Sequence, residues 1–315
     1  MASSPQISIL MSVRNGKPYV AETVVSIIDQ TFSDWEFVIV DNASTDGSAD
    51  LIDNLARHEP RIRLIRSESD LGHSGGLNRG LAVCRGEWIA RIDADDVALP
   101  NRLERQLAFV AAQPNVKVSS CLAHYINAEG RIVGKTFHNL TTRQVFDRYM
   151  REGLAIGILH PGAFIDRTLL ARAGGYRGQF DPANDIDLWA RLCEEGALIL
   201  VQPEYLMKYR VHSGSISSNS FKVARLKYQW ARNCMRARRS GLNEPDWEEF
   251  LAERQNAPWW KRLNRWRKTQ ARRLYRQSAQ HHIIHQRLRA VMDIGLATLL
   301  QPTYTVPRLR GQAQK

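Results

Sequence analysis

Short apolar runs alternate with helical patterns through the first hundred residues, and each run ends in a polar cluster. Ile7–Val13 reads as a buried strand stopped by the turn signal Arg14-Asn15-Gly16, with Pro18 placed to open a helix reaching about Gln30. Phe37–Val40 is a second strand, ending at Asp41–Gly47, and Ile62–Ile65 a third, followed by Leu71–Asn78 leading into a helix. The fourth, Trp88–Ile92, runs straight into Asp93-Ala94-Asp95-Asp96. Alternation at this spacing predicts an α/β fold, a parallel sheet with helices on both faces. Ligands of such sheets sit beyond the carboxyl ends of the strands, where all these clusters fall. Farther on, Pro100 starts a helix through about Ala112, Val116–Cys121 is a strand, and residues 124–156 suggest a hairpin and a helix.

Three carboxylates within four residues repel one another and resist burial without a partner. A divalent cation relieves that repulsion, because Mg²⁺ and Mn²⁺ take carboxylate oxygens and commonly bridge to substrate phosphates. Asp93, Asp95 and Asp96 are therefore either a metal–diphosphate clamp or an acidic turn closing a strand. Asp41 and Asp46 pose the same choice between a ligand contact and the capping of the next helix. Gly72, Gly75, Gly76 and Gly80 do not make a Walker-type phosphate loop, since no Gly-Lys-Ser/Thr follows, and no G-x-G-x-x-G supports a dinucleotide site. A second acidic motif, Asn184-Asp185-Ile186-Asp187, opens a helix through Leu188, Arg191 and Leu192, whose first turn suits acids on structural grounds alone. A third is Tyr209–Ser217, in which Arg210 is a candidate phosphate contact.

Composition narrows the class. Cys84, Cys121, Cys193 and Cys234 lie far apart with no C-x-x-C spacing, which argues against zinc or a disulfide framework and suits a reducing compartment. The opening M-A-S-S-P-Q lacks a basic segment followed by an apolar run, so no secretory signal is expected. No stretch reaches the roughly 18 apolar residues needed to span a bilayer. Charge divides the chain: residues 221–315 hold 21 Lys and Arg against 6 Asp and Glu, and residues 1–220 hold 23 against 26. Two parts are expected, a catalytic body over 1–220 and a basic helical extension over 221–315. Within the extension, Trp259, Leu263 and Trp266 share a helical face, with Lys261, Arg265 and Lys268 away from it, and Ile294–Leu300 adds a short apolar patch. Tryptophans beside a basic face suit an anionic membrane surface, while packing on the body or between subunits explains the same pattern. No nucleic-acid motif accompanies the basic residues, and none is expected to be bound. His281, His282 and His285 have metal-like spacing but no acid or cysteine beside them, and read as a solvated face.

The segments "ISILMSVRNGKPYVAETVVSIIDQTFSDWEFVIVDNASTDGS" and "SDLGHSGGLNRGLAVCRGEWIARIDADD" resemble the nucleotide-binding half of a family 2 glycosyltransferase of GT-A fold, and the likeness runs over about residues 5–220. The resemblance implies a Rossmann-like nucleotide-diphospho-sugar transferase fold and inverting transfer from a nucleotide-sugar donor, UDP-linked, to a glycan or lipid-linked hydroxyl in cell-surface polysaccharide synthesis. It implies that Ser12, Val13, Arg14 and Asn15 border the base, with Asp41 accepting from the uracil ring and Asp46 nearby. Asn78 and Arg91 would line the nucleotide and sugar, and Asp93-Ala94-Asp95 is the DXD motif, with Asp93 near ribose and sugar and Asp95 binding Mn²⁺ or Mg²⁺. His212, by the same likeness, joins Asp95 on the metal, and Asp185 is the general base. Two departures stand out: Asn42 and Asn184 occupy positions where relatives usually carry acids. A cytoplasmic enzyme, peripheral at the inner face of the cell membrane, is expected, with self-association left open. The alternatives are a nucleotidyltransferase and a catalytically silent nucleotide-binding scaffold, the latter prompted by Asn184.

Overall fold

The computed structural model describes residues 4–212, 221–283 and 287–306. Ser213–Ser217 of the third motif and His285 lie outside the described residues, as do the side chains of His281 and His282.

The apolar runs become the centre of a sheet. Strands β1 (Ile7–Val13), β2 (Trp35–Asp41), β3 (Ile62–Arg66) and β4 (Trp88–Arg91) pair in parallel in the order β3-β2-β1-β4. They are joined by helices α1 (Val20–Ile28), α2 (Ser48–Ala56) and α3 (Gly72–Leu81), the crossovers that parallel pairing requires. All seven residues of β2 are buried, as befits a strand covered on both faces. Helix α3 lies hard against β1, because a Cβ on Gly80 would come within 2.5 Å of Leu10 Cδ1. The glycines of this segment thus serve close packing.

Beyond β4 the sheet is mixed, unlike the all-parallel sheet expected. The remaining strands are β5 (Val97–Ala98), β6 (Val116–Ile126), β7 (Ile132–Lys135), β8 (Phe164–Asp166) and β9 (Leu198–Arg210). Strand β8 runs antiparallel to both β4 and β6, β6 pairs parallel with β9, β5 pairs antiparallel with β9, and β7 hairpins onto β6. Helices α4 (Arg102–Ala111), α5 (Arg143–Arg151), α6 (Arg167–Arg172) and α7 (Asn184–Glu194) intervene. Two consequences matter for function. The chain leaves β1 outward to β3 and returns to β4 on the other side of β1, which makes a topological switch point at the carboxyl ends of β1 and β4. The two-residue β5, pairing Val97 with Lys208, folds the Asp93–Asp96 turn back beside the end of β9.

The chain separates into two compact units, residues 1–244 and 245–315. The boundary expected after residue 220 is thereby displaced. Helix Phe221–Arg239 packs on α7 and buries Trp230, Ala231, Cys234 and Met235, so it belongs with the first unit despite its basic composition. The second unit contains helices Trp247–Asn256, Trp259–Ile283 and Arg287–Leu300. Asp246 opens the first of these with a capping box, its side chain accepting from Glu249 N–H while Glu249 accepts from Asp246 N–H.

Candidate active site

Strand β4 delivers three carboxylates that the fold sends into three different surroundings. Asp93 accepts from the Arg91 guanidinium at 2.5 Å. Burial opposes its ionisation, but Arg91, with His73 and His160, outweighs burial and holds its carboxyl below the usual range. Asp96 is fully buried; one oxygen accepts from Arg210 N–H at 2.9 Å and Oδ2 finds no partner among the described residues. Burial, and then the charges of Asp95 and Asp93, push its pKa well above the ordinary value. Asp95 lies between these extremes. Its carboxylate accepts from or donates to His212 Nε2 at 3.0 Å, and burial and the Asp93 charge raise its pKa against the opposing effect of that imidazole.

Arg91 and Arg210 are both buried beside the acidic turn. Arg91 has no exposed surface: it donates to Ile92 O and Asp93, and its own carbonyl accepts from Arg102 Nη2 at 2.7 Å. It is the buried countercharge of Asp93 and no part of an open pocket wall. Arg210 is likewise buried, with four of its five guanidinium N–H groups engaged. Its Nε donates to Asp95 O at 2.8 Å, Nη1 to Asn127 O at 3.2 Å and Ala128 O at 3.1 Å, and Nη2 to Glu22 at 2.5 Å. Its guanidinium also stacks 4.5 Å from the centre of the Tyr19 ring. Arg210 therefore fastens the acidic turn to the end of β9, and two residues later the chain presents His212 to Asp95 across 117 positions of sequence.

At the carboxyl end of β2, Asp41 is nearly inaccessible and has one unpartnered oxygen. Ser44 N–H donates to its Oδ2 at 3.3 Å, while Oδ1 has no hydrogen-bond partner among the described residues. An orphaned buried carboxylate oxygen is costly unless a ligand N–H meets it. Asp46, by contrast, is consumed in closing loops: it accepts from Lys17 N–H at 2.9 Å and from Ser48 N–H and Oγ at 2.9 and 2.5 Å. It lies one residue ahead of Gly47, the N-cap of α2, which has no side-chain cap bond. Asn15, held at φ 55°, accepts from Thr45 N–H at 2.8 Å, and Val13 O accepts from Asn42 N–H at 2.8 Å, so the loops after β1 and β2 form one rim. Arg14 on that rim pairs with Asp70, while Ser12 and Ala94 sit part-buried. Asn78 does not face this rim. Both ends of its amide are spent on the Tyr176 backbone, at 2.7 and 2.8 Å.

A chain of hydrogen bonds connects the β2 rim to the second acidic motif. Asn42 Nδ2 donates to Asp70 at 2.9 Å and to Gly72 O at 3.1 Å, at the start of α3. Two residues on, Ser74 donates to Asp181 through Oγ at 2.6 Å and N–H at 3.0 Å, and accepts from Asn184 Nδ2 at 2.7 Å. Asn184 thus works as a donor, which a carboxylate there could not. Asp185 follows in the first turn of α7, its Oδ1 accepting from Ile186 N–H at 2.8 Å. Burial pushes its carboxyl up to about 6 despite that bond, and the Asp93 charge adds to the rise. The Asp93 charge is felt at Asp95 and at Asp185 alike, so the two acidic motifs lie within electrostatic reach of one another.

Comparison with known proteins decides the family. Residues 8–172 match the Glycosyl transferase family 2 profile. The chain is 32% identical over 238 residues to EpsE of Bacillus subtilis (strain 168), named a glycosyltransferase, covering 70% of this chain and 78% of that one. This chain belongs to glycosyltransferase family 2. It is also 28% identical to the Escherichia coli UDP-Glc:alpha-D-GlcNAc-diphosphoundecaprenol beta-1,3-glucosyltransferase WfgD, over 71% of this chain and 83% of the relative. Among solved structures, S. aureus TarS 1-349 in complex with UDP aligns with TM-score 0.57 at 14% identity, over 95% of this chain and 91% of TarS. The mannosyltransferase PcManGT from Pyrobaculum calidifontis, in complex with GDP-Man and Mn²⁺, aligns with TM-score 0.56 at 18% identity, over 99% of this chain and 81% of that one. The fold is GT-A.

For a family 2 glycosyltransferase, the test of a metal site is the donor set. Among the described residues no three His, Cys, Asp or Glu side chains are grouped to hold an ion. Asp95 and His212 offer one oxygen and one imidazole nitrogen in hydrogen-bond contact, a pair that suits Mn²⁺ or Mg²⁺ if substrate oxygens complete the shell. The motifs read from the sequence give no role to His73 or His160. His160 Nε2 meets Tyr176 Oη at 3.1 Å, its ring packs 5.8 Å from Trp189, and His73 Nε2 lies 3.4 Å from Arg91. Burial lowers the pKa of both imidazoles, and Arg91 adds to it, while the Asp93 charge works the other way. No sequence pattern around His73 signals this, because His73 lies at the start of α3 and Arg91 at the end of β4.

Proposed function

We propose that this glycosyltransferase moves one sugar from a UDP-linked donor to a hydroxyl of a glycan or lipid-linked acceptor, with inversion, in cell-surface polysaccharide synthesis. The observation that carries the reading is Asp185: a part-buried carboxylate with its pKa raised to about 6, in the field of Asp93, suits a base working near neutral pH. Asp185 takes the proton of the acceptor hydroxyl as its oxygen attacks the anomeric carbon from the side opposite the diphosphate. The carbon–oxygen bond to the diphosphate breaks, the nucleotide leaves, and the configuration at that carbon inverts. Mn²⁺ or Mg²⁺ held by Asp95 and His212 would supply Lewis-acid stabilisation of charge on the departing diphosphate. Arg91 keeps Asp93 ionised, and Arg210 fixes the main chain of Asp95, so both act by positioning. The relative WfgD, whose name specifies a diphosphoundecaprenol-linked acceptor, favours a lipid-linked acceptor here too and work at the cytoplasmic face of the membrane.

The deciding assay is donor turnover with product identification. UDP release should require Mn²⁺ or Mg²⁺, and Asp95→Ala should lower it on the order of a hundredfold or more. Release of pyrophosphate instead would indicate nucleotidyl transfer, and tight donor binding without turnover would indicate a scaffold. The scaffold reading loses its motive in Asn184, whose amide has a structural task beside an intact Asp185. A separate expectation concerns the base. Asp41→Ala should weaken UDP binding roughly 10- to 100-fold, the range for a hydrogen bond to a charged group, with little effect on a nucleotide lacking an N–H at that position. Isothermal titration with UDP and CDP checks it; equal losses for both would place Asp41 away from the base edge.

A further inference from the structure

The second unit carries an apolar surface arranged the wrong way round for a water-soluble helix pair. Helix Arg287–Leu300 packs along helix Trp259–Ile283, and the residues buried on these helices are small: Ala271, Ser278, Ala290 and Ala297. The large apolar residues point outward. Leu288, Val291, Met292, Leu296 and Leu299 follow i, i+3, i+4, i+8 and i+11 spacing, which aligns them in one stripe along the helix. Leu288 is 84% exposed, Met292 65% and Leu299 80%. At the start of the companion helix, Trp259, Trp260, Leu263 and Trp266 are exposed as well, Trp259 at 71%. Exposed apolar groups of this size on a folded surface mark an interaction site.

Charge selects the occupant. Helix Trp259–Ile283 contains eight Lys or Arg and no Asp or Glu, and Asp293 is the one acid from Pro258 to Lys315. A second copy of the chain would bring the same positive charge against itself, whereas an anionic lipid surface neutralises it. Long basic side chains keep their charges among headgroups while aliphatic and indole rings enter the acyl boundary, where tryptophan is favoured. No helix of the described residues is long and apolar enough to cross a membrane. Helix Phe221–Arg239 does not share these features, because Trp230, Ala231, Cys234 and Met235 are buried in the first unit and Arg238 pairs with Glu194 and Glu244.

We propose that the helix pair 259–300 is a membrane-docking module that lies in the headgroup layer of an anionic bilayer, with the Leu288–Leu299 stripe and the Trp259–Trp266 cluster inserted. The inference deepens the functional reading above, since a lipid-linked acceptor lies at that surface, and rests on it only for that purpose. The test is flotation of the full chain with vesicles of phosphatidylcholine alone or with about one third phosphatidylglycerol. Binding is expected only to the anionic vesicles, weakened but not abolished by high salt, because the apolar part is unscreened. The triple variant Leu288→Gln, Met292→Gln, Leu299→Gln changes exposed side chains alone and should fold; it should bind at least tenfold less tightly, on the scale of removing three inserted apolar groups. Donor hydrolysis by the same variant, measured without vesicles, should be unchanged, so that loss of docking and failure of the transferase reading remain distinguishable. Undiminished flotation of the variant, no binding of the full chain to anionic vesicles, or a dimer in vesicle-free solution that the variant converts to monomer would each overturn the proposal.

Discussion

Replacing Asp185 by Asn should lower glycosyl transfer by about 10²- to 10⁴-fold, the range for loss of a general base, while leaving donor affinity unchanged. The substitution preserves size and can still satisfy Ile186 N–H, so a large loss reports on proton transfer and not on a collapsed helix. The wild-type pH profile gives an independent check. With a carboxyl pKa of about 6, the base is mostly ionised at neutral pH, and kcat/KM should fall roughly tenfold per unit below about pH 6. Stability should move the other way. The folded state holds this carboxyl at about 6 against an ordinary value of 3.8, so ionisation near neutral pH favours unfolding, and the penalty disappears as pH falls through that interval. Asp185→Asn removes the penalty and should stabilise the protein at pH 7.5 on the order of 1–3 kcal/mol, with little gain near pH 4. Paired urea titrations at the two pH values measure this. A variant that is inactive and also less stable at pH 7.5 would mark Asp185 as structural.

The same physical division separates what the chain reveals in one dimension from what it hides. β1 and the run before Asp93 are legible because a strand covered on both faces must be almost continuously apolar, and the polar clusters at their ends come from that geometry. Asp95, Asp185 and His212 are legible as candidates through motif resemblance. The same resemblance sets His212 with Asp95, but the physical cause of their contact, β5 pairing with β9, has no local signal. Arginine is the residue whose surroundings the sequence shows least. Arg91 and Arg210 stand beside acidic motifs just as phosphate contacts would, yet both are buried in hydrogen bonds to carbonyls and carboxylates, and nothing local distinguishes a sunken guanidinium from a reaching one. Composition misled at the unit boundary. Helix Phe221–Arg239 is strongly basic, like helix Trp259–Ile283, but its buried Trp230 and Met235 tie it to α7, and one turn of residues after Arg239 ends the first unit. In the second unit periodicity does identify the exposed tryptophan face, because a helix longer than its packing partner leaves its pattern unused.

The ion network beneath Asp185 carries the largest expected stability effect. Asp187 is fully buried two residues past the base and accepts from Arg177 Nε at 2.9 Å and Arg191 Nε at 2.8 Å, with Arg238 Nη1 3.7 Å away. Arg177 and Arg238 also share Glu244, at 3.1 and 2.6 Å, so a single carboxylate binds α7 to the turn before it and to helix Phe221–Arg239. Asp187→Ala takes from Arg191 its carboxylate partner and leaves Arg177 with Glu244 alone, and a part-buried guanidinium without its countercharge is costlier than the pair itself is stabilising. About 3–5 kcal/mol should be lost, or roughly 6–20 °C in Tm for a unit of this size. Arg177→Ala should cost less, because Arg191 still pairs with Asp187 and the vacated side is partly open to water. Asp187→Asn, which keeps the acceptor oxygen but not the charge, should fall between them. Thermal melts of the three variants rank the effects. An Asp187→Ala protein melting within a degree or two of wild type would mean that the three arginines find water instead, and that the first turn of α7, with Asp185 in it, is held by Asn184 and Ser74 alone.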